Sequence, residues 1–285
     1  MEKLRVELAS DSGVLFRGDC LSLLAMMKDE STDVIFADPP FNLGKNYGSG
    51  ISDRRTDGEY VRWLNSWLEE CVRVLRPGAA IFVYHLPRWN VKIAATLEML
   101  GMTFRHWIAV QMTTGYPRQQ MLYPAHYSIL YFTKGPPRQF SRLRVAVRLC
   151  RHCGKEVKDY GGHRAKLHDD GVTLSDFWED TSPVRHAANK RRGANELPRE
   201  IPRRCLSMAA RVGDVLLDPF AGSAGSCVEA SALGIKWVAS ELGSCDAARE
   251  QLARISSEAP PGSWLNDVMH YDQVERRAPL GDGTQ

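Results

Sequence analysis

Two strand-like runs about 180 residues apart end in the same kind of chemistry. Asp33-Val34-Ile35-Phe36-Ala37 runs into Asp38-Pro39-Pro40-Phe41, and Asp214-Val215-Leu216-Leu217 runs into Asp218-Pro219-Phe220-Ala221-Gly222-Ser223. Each sets a carboxylate, a ring-stiffened turn and an aromatic side chain just past a buried strand, where an open α/β sheet offers its crevice to ligands. In the second run the glycines of Gly222-Ser223-Ala224-Gly225 let backbone approach a ligand closely. A separate group, Cys150-x2-Cys153 followed by His163-x4-His168, offers four ligands suited to tetrahedral zinc, with a gap shorter than a ββα finger requires.

Alternating strand and helix patterns position these residues. Val14–Phe16, Val34–Ala37, Ala80–Tyr84, Trp107–Val110, Ser128–Phe132, Val215–Leu217 and Trp237–Ser240 read as strands. Helical spacing is expected over 20–28, Tyr60–Leu75 (stopped by Pro77-Gly78), 91–100, 197–211, 224–233 and 245–257. Strands alternating with helices imply an α/β fold with a mainly parallel sheet covered on both faces. The pattern breaks between 135 and 190, which reads as an insertion. Residues 138–168 carry nine Lys/Arg against two acids, +7 in a chain of net charge +3, as expected of a surface that neutralises phosphates. Length and 44% hydrophobic content permit a full core. No run is long enough to span a membrane, and the seven cysteines are mostly isolated, so a soluble cytoplasmic protein with reduced thiols is expected.

The two strand-end motifs, with Gly18-Asp19-Cys20 upstream and Asn42-Leu43-Gly44 downstream of the first, resemble those of the DNA amino-methyltransferases. Their order, acidic-proline motif before glycine motif, resembles the circularly permuted β class. The resemblance implies a Rossmann-like fold and methyl transfer from S-adenosylmethionine (AdoMet) to the exocyclic amino group of a flipped base in double-stranded DNA. Asp38 at the motif's first position implies adenine N6 ahead of cytosine N4. Asp38 and the Pro39 carbonyl would accept the amino N–H groups, Pro40 would stiffen the turn and Phe41 would stack on the base. Asp19, Cys20, Asp218, Phe220, Gly222, Ser223 and Glu241 would bind AdoMet, with Asn195 and Leu197 helping to cover it. Glu241 is placed to accept hydrogen bonds from ribose hydroxyls. The family has Gly-Ser-Gly where this chain has Gly222-Ser223-Ala224, so an added methyl would crowd the cofactor or shift the loop.

His126-Tyr127 lies where the family places residues near the base, a position that core packing explains as well. The implied division is a catalytic half (1–134), a target-recognition insertion (135–190), an AdoMet-binding half (191–277) and a flexible tail (278–285). A separate cognate restriction endonuclease and a monomeric or homodimeric state are compatible. The rivals are a methyltransferase for RNA or protein amides and a degenerate DNA-binding protein.

Overall fold

The computed structural model describes residues 4–44, 53–112, 120, 122–147, 149–150, 152–156, 168–181, 197–255, 259–271 and 274. From the N-terminal side the chain forms β1 (Arg5–Ala9), β2 (Gly13–Arg17), α1 (Cys20–Met26), β3 (Thr32–Ala37), α2 (Asp57–Val74), β4 (Leu75–His85), α3 (Pro87–Met99), β5 (Thr103–Gln111) and β6 (His126–Thr133). Short β7 (Arg144–Val145), β8 (Val172–Thr173) and β9 (Phe177–Trp178) follow. Then come α4 (Glu200–Ala209), β10 (Val215–Asp218), α5 (Gly225–Ala232), β11 (Lys236–Glu241), α6 (Asp246–Ala253) and α7 (Trp264–Val268).

The main sheet has nine strands in the order β1-β2-β11-β10-β3-β4-β6-β5-β9. Strands β2, β11, β10, β3 and β4 are parallel, whereas β6 runs antiparallel to both neighbours. Alternate residues of the central strands face opposite sides, so Ile35, Ile81 and Leu217 join the core under α1, α2 and α3. Val34, Phe82 and Leu216 join the core under α4, α5 and α6.

Helix α2 begins one turn earlier than its apolar spacing suggests, because Thr56 and Glu59 form a reciprocal capping box. It ends at Val74. The α conformation is disfavoured for a residue preceding proline, so Arg76 cannot readily extend the helix toward Pro77. The chain passes directly into β4, and Gly78 (φ +78°) accepts the Arg138 amide at 3.0 Å. A Cβ on Gly78 would lie 3.0 Å from the Arg138 amide nitrogen and the Pro136 carbonyl.

Described residues of the segment 135–190 contribute to this framework. β9 pairs in parallel with β5, and Trp178 is buried beneath the Arg204 guanidinium at 5.3 Å. Arg204 in turn grips both carboxylate oxygens of Asp180, at 2.8 and 2.6 Å. Arg138 pairs with the buried Asp33 and Asp214 at the amino ends of β3 and β10. No described helix is long and apolar enough to cross a membrane.

Candidate active site

Five residues stand in a row along the carboxyl edge of the parallel strands. Asp19 follows β2, Glu241 ends β11, Asp218 ends β10, Asp38 follows β3 and His85 ends β4. The two motifs distant in sequence thus become neighbours through the β3–β10 pair, with Leu216 opposite Val34 and Leu217 opposite Ile35. β10 is also where the chain order of the strands reverses, the usual place for a ligand crevice.

The loop after β3 is pinned carbonyl by carbonyl. Tyr60 Oη donates to the Pro40 carbonyl, and Trp89 Nε1 donates to the Phe41 carbonyl at 3.2 Å. Among the described residues no hydrogen bond engages the Pro39 carbonyl. Downstream, Asn42 in the left-handed region (φ +55°) clamps the Arg55 backbone, donating to its carbonyl at 3.0 Å and accepting its amide at 2.8 Å. Behind the loop, His85 stacks on Phe41 with ring centroids 4.7 Å apart. Tyr84 and Tyr127 lean on the same ring at 6.0 and 5.8 Å. Burial, followed by the nearby Asp38 carboxylate, raises both phenol pKa values. Their hydroxyls therefore stay protonated at physiological pH. A carboxylate, a backbone carbonyl and an aromatic wall are well suited to receive a flat ring bearing an amino group.

The turn after β10 is built around two carboxylates. Asp218 is buried, accepting from the Phe220 amide at 2.9 Å and from the Ser226 hydroxyl. Burial outweighs both bonds and pushes its pKa up to about 7. Glu241 accepts the Gly222 amide through Oε2 and the Gly243 amide through Oε1, both at 2.8 Å. Each oxygen keeps a lone pair for a further donor. Phe220 sets its edge against Trp63 and Trp67 of α2, with centroids 5.7 and 5.2 Å apart. Ala224 adopts φ +61°, ψ 30°, a left-handed conformation that costs roughly 1–2 kcal/mol for a residue with a Cβ. Its methyl is buried in the core on the α4–α6 face, and α5 starts at the next residue.

Other expected residues lie elsewhere or are engaged locally. Asp19 caps α1, accepting the Leu21 amide at 2.9 Å, and Cys20 is buried beside it with its thiol pKa raised by that burial. Ser223 is buried in the glycine turn, and Leu197 packs against the α4–α6 core. Asn195 and His163 fall outside the described residues. Cys150 and Cys153 occupy a turn closed by the Cys150 amide on the Lys155 carbonyl at 2.6 Å, whereas His168 Nδ1 receives the Asp170 amide at 3.2 Å. Among the described residues no three His, Cys, Asp or Glu side chains gather as a metal set, so they do not by themselves fit zinc.

The family model described as DNA methylase, of the N6 and N4 type, matches residues 32–250. The chain belongs to this family. Over 253 residues the chain is 44% identical to the Type II methyltransferase M.BamHI of Bacillus amyloliquefaciens, covering 88% of the chain and 60% of that relative. It is 31% identical to M.HpaI of Haemophilus parainfluenzae over 73% of the chain and 63% of that protein. The chain therefore spans about three fifths of the length of these two relatives. The fold matches solved DNA methyltransferase structures. The cytosine-N4-specific PvuII enzyme aligns with a TM-score of 0.64 at 15% identity, covering 91% of each chain. The Thermus thermophilus protein TTHA0409, in complex with AdoMet, aligns with a TM-score of 0.55 at 20% identity, covering 84% of this chain and 93% of that one.

Sequence reasoning missed Tyr60, Tyr84, His85 and Trp89. Tyr60 reads as one more apolar position of a helix, and Tyr84 and His85 as the end of a buried strand. The discernible signal is that a histidine and a tyrosine interrupt otherwise apolar faces pointing toward Asp38. Tyr127, for which base contact and core packing were equally open, stands against Phe41.

Proposed function

We propose that this methylase transfers a methyl group from AdoMet to the exocyclic amino group of a base in double-stranded DNA. The observation that carries it is the adjacency, across the β3–β10 pair, of the Asp38-Pro39-Pro40-Phe41 loop and the glycine turn held by Glu241. The second loop fits AdoMet: its backbone is fixed by Asp218 and Glu241, and the Glu241 oxygens retain lone pairs suited to two ribose hydroxyls. When bound, AdoMet supplies an electrophilic methyl group.

The chain's own residues serve the acceptor. An exocyclic amino nitrogen is a poor nucleophile because its lone pair is delocalised into the ring. Asp38 and the Pro39 carbonyl accept its two N–H groups and favour a pyramidal nitrogen, and Asp38 is the anionic group of this loop able to take the proton the nitrogen sheds. A base reaching this loop must leave the helix stack, and Phe41, backed by His85 and flanked by Tyr84 and Tyr127, offers a surface to replace lost stacking. Much of the rate then comes from positioning. The exposed Arg142, Arg144 and Lys155 support a reading of segment 135–190 as the target-recognition region.

Asp38 at the head of its motif favours adenine N6, whereas the PvuII relative is cytosine-N4-specific by name. The deciding experiment incubates the protein with labelled AdoMet and mixed-sequence DNA and identifies the modified nucleoside, with RNA and a glutamine peptide in parallel. Label in N6-methyladenine or N4-methylcytosine is the expected result. Label confined to RNA or peptide, or none on any acceptor, overturns the proposal. A cognate restriction endonuclease on a separate chain belongs to the same reading, as the Type II designation of M.BamHI suggests.

A further inference from the structure

The Pro40 carbonyl sits at the end of a hydrogen-bonded relay that the methyl-transfer chemistry does not itself require. The Leu86 amide donates to His85 Nδ1 at 2.7 Å, so Nδ1 carries no proton and the proton of the neutral ring is on Nε2. His85 Nε2 lies 2.7 Å from Tyr60 Oη, which receives that proton as an acceptor. Tyr60 then directs its own hydroxyl proton to the Pro40 carbonyl. Every link therefore has one direction, running from the β4 terminus to the loop. His85 is fully buried, and desolvation together with Arg88 lowers its pKa to about 3, so the ring stays neutral and the direction holds across the physiological range.

The anchor is rigid at its base. Tyr60 is buried between Trp89 and Trp63, with centroids 4.5 and 5.5 Å away, in the first turns of α2 just after the capping box. Two consecutive carbonyls of the loop, those of Pro40 and Phe41, are thus committed to protein donors. The proline rings fix φ at the two preceding positions.

We infer that Tyr60, oriented by His85, is a positioning residue that turns the Pro40 carbonyl away and leaves the Pro39 carbonyl as the loop's backbone acceptor beside Asp38. This rests on the methyl-transfer reading above. Tyr60 is not a catalytic residue, since it touches the loop and no reacting atom. Its hydroxyl sets where the acceptors stand, so its loss shows in the rate of transfer at saturation and not in binding.

The test compares single-turnover methyl transfer by the full chain and its variants. Tyr60→Phe retains the ring packing and removes the hydroxyl, and is expected to slow transfer about 10- to 100-fold while the DNA KM and AdoMet Kd change by less than about twofold. His85→Phe retains the stack on Phe41 without the donor and is expected to match it. His85→Gln restores a donor toward Tyr60 and is expected to recover most of the rate. The Tyr60→Phe/His85→Phe double variant should be no slower than either single variant, since the two residues act through one contact. An unchanged rate in Tyr60→Phe, or additive losses in the double variant, overturns the inference. If the parent methylates nothing, the functional reading falls and the inference is judged on structure. A Tyr60→Phe crystal structure with Pro39 and Pro40 undisplaced, or nitrogen NMR placing the His85 proton on Nδ1, overturns it.

Discussion

Glu241 Oε2 accepts the Gly222 amide at 2.8 Å, so the acidic end of β11 holds the glycine turn of β10 in place. One carboxylate thereby shapes the loop and presents acceptors beyond it. Replacing Glu241 with Ala is expected to weaken AdoMet binding by on the order of 1–3 kcal/mol, because a buried hydroxyl pair loses its acceptor and the turn loses its tether. Calorimetry reads the change, and equal dissociation constants for variant and parent would remove Glu241 from the site.

Asp38→Ala separates the two loops functionally. It should abolish transfer while leaving AdoMet affinity within about twofold, since Asp38 belongs to the acceptor loop and a missing acceptor costs transition-state stabilisation while leaving the cofactor loop intact. Measurable turnover, or lost cofactor binding in a folded variant, would contradict that division.

Asp218 predicts a pH signature in the cofactor-free protein. Its folded pKa of about 7 lies above the ordinary value of 3.8, so between those pH values the folded state binds more protons than the unfolded state. The stability it contributes is fully present below pH 3.8 and is lost as pH rises through about 7. Asp218→Asn carries no such loss, because a carboxamide does not ionise across this range. The stability of the variant relative to the parent should rise across this window and then level off, as chemical denaturation at stepped pH would record. A pH-independent difference would place the ionisation elsewhere.

Among the described residues, the basic segment holds cations that face solvent and one that is spent internally. Arg142 and Lys155 are exposed, whereas Arg138 is held by Asp33 and Asp214. Arg142→Gln with Lys155→Gln should weaken DNA binding and reduce the log-log salt slope by roughly one unit for each phosphate left without its cation. Arg138→Gln should instead lower stability by about 1–3 kcal/mol, because it leaves two buried carboxylates short of a partner. Fluorescence titrations over a salt series and denaturant unfolding distinguish the two effects. An unchanged slope would move DNA recognition to another surface.

What could be read from the sequence was the placement of short contiguous runs. Both strand-end motifs, the central parallel strands and the acid that ends β11 follow from residue type and periodicity, because a buried central strand is apolar on both faces and ends abruptly. Strand β1 was missed, since Arg5–Ala9 alternates charged and apolar residues at a sheet edge and looks like a surface segment. β9 was missed because two residues become a strand only through pairing with Ala109 and Val110. The Tyr60–His85 relay and the Asn42–Arg55 clamp were invisible for the same reason: each is a meeting of groups far apart in the chain, fixed by tertiary packing.

The pairing of β3 with β10 also sets a schedule for the site. Asp38 leaves the ribosome about 200 residues before Glu241, a delay of roughly 10–40 s at 5–20 residues per second. During that interval β3 lacks the neighbour that covers its edge, and the Asp38 loop has no glycine turn beside it. The two loops can face each other only after β10 and β11 have emerged and closed the middle of the sheet, so the crevice between them is assembled in one step once both motifs have been made.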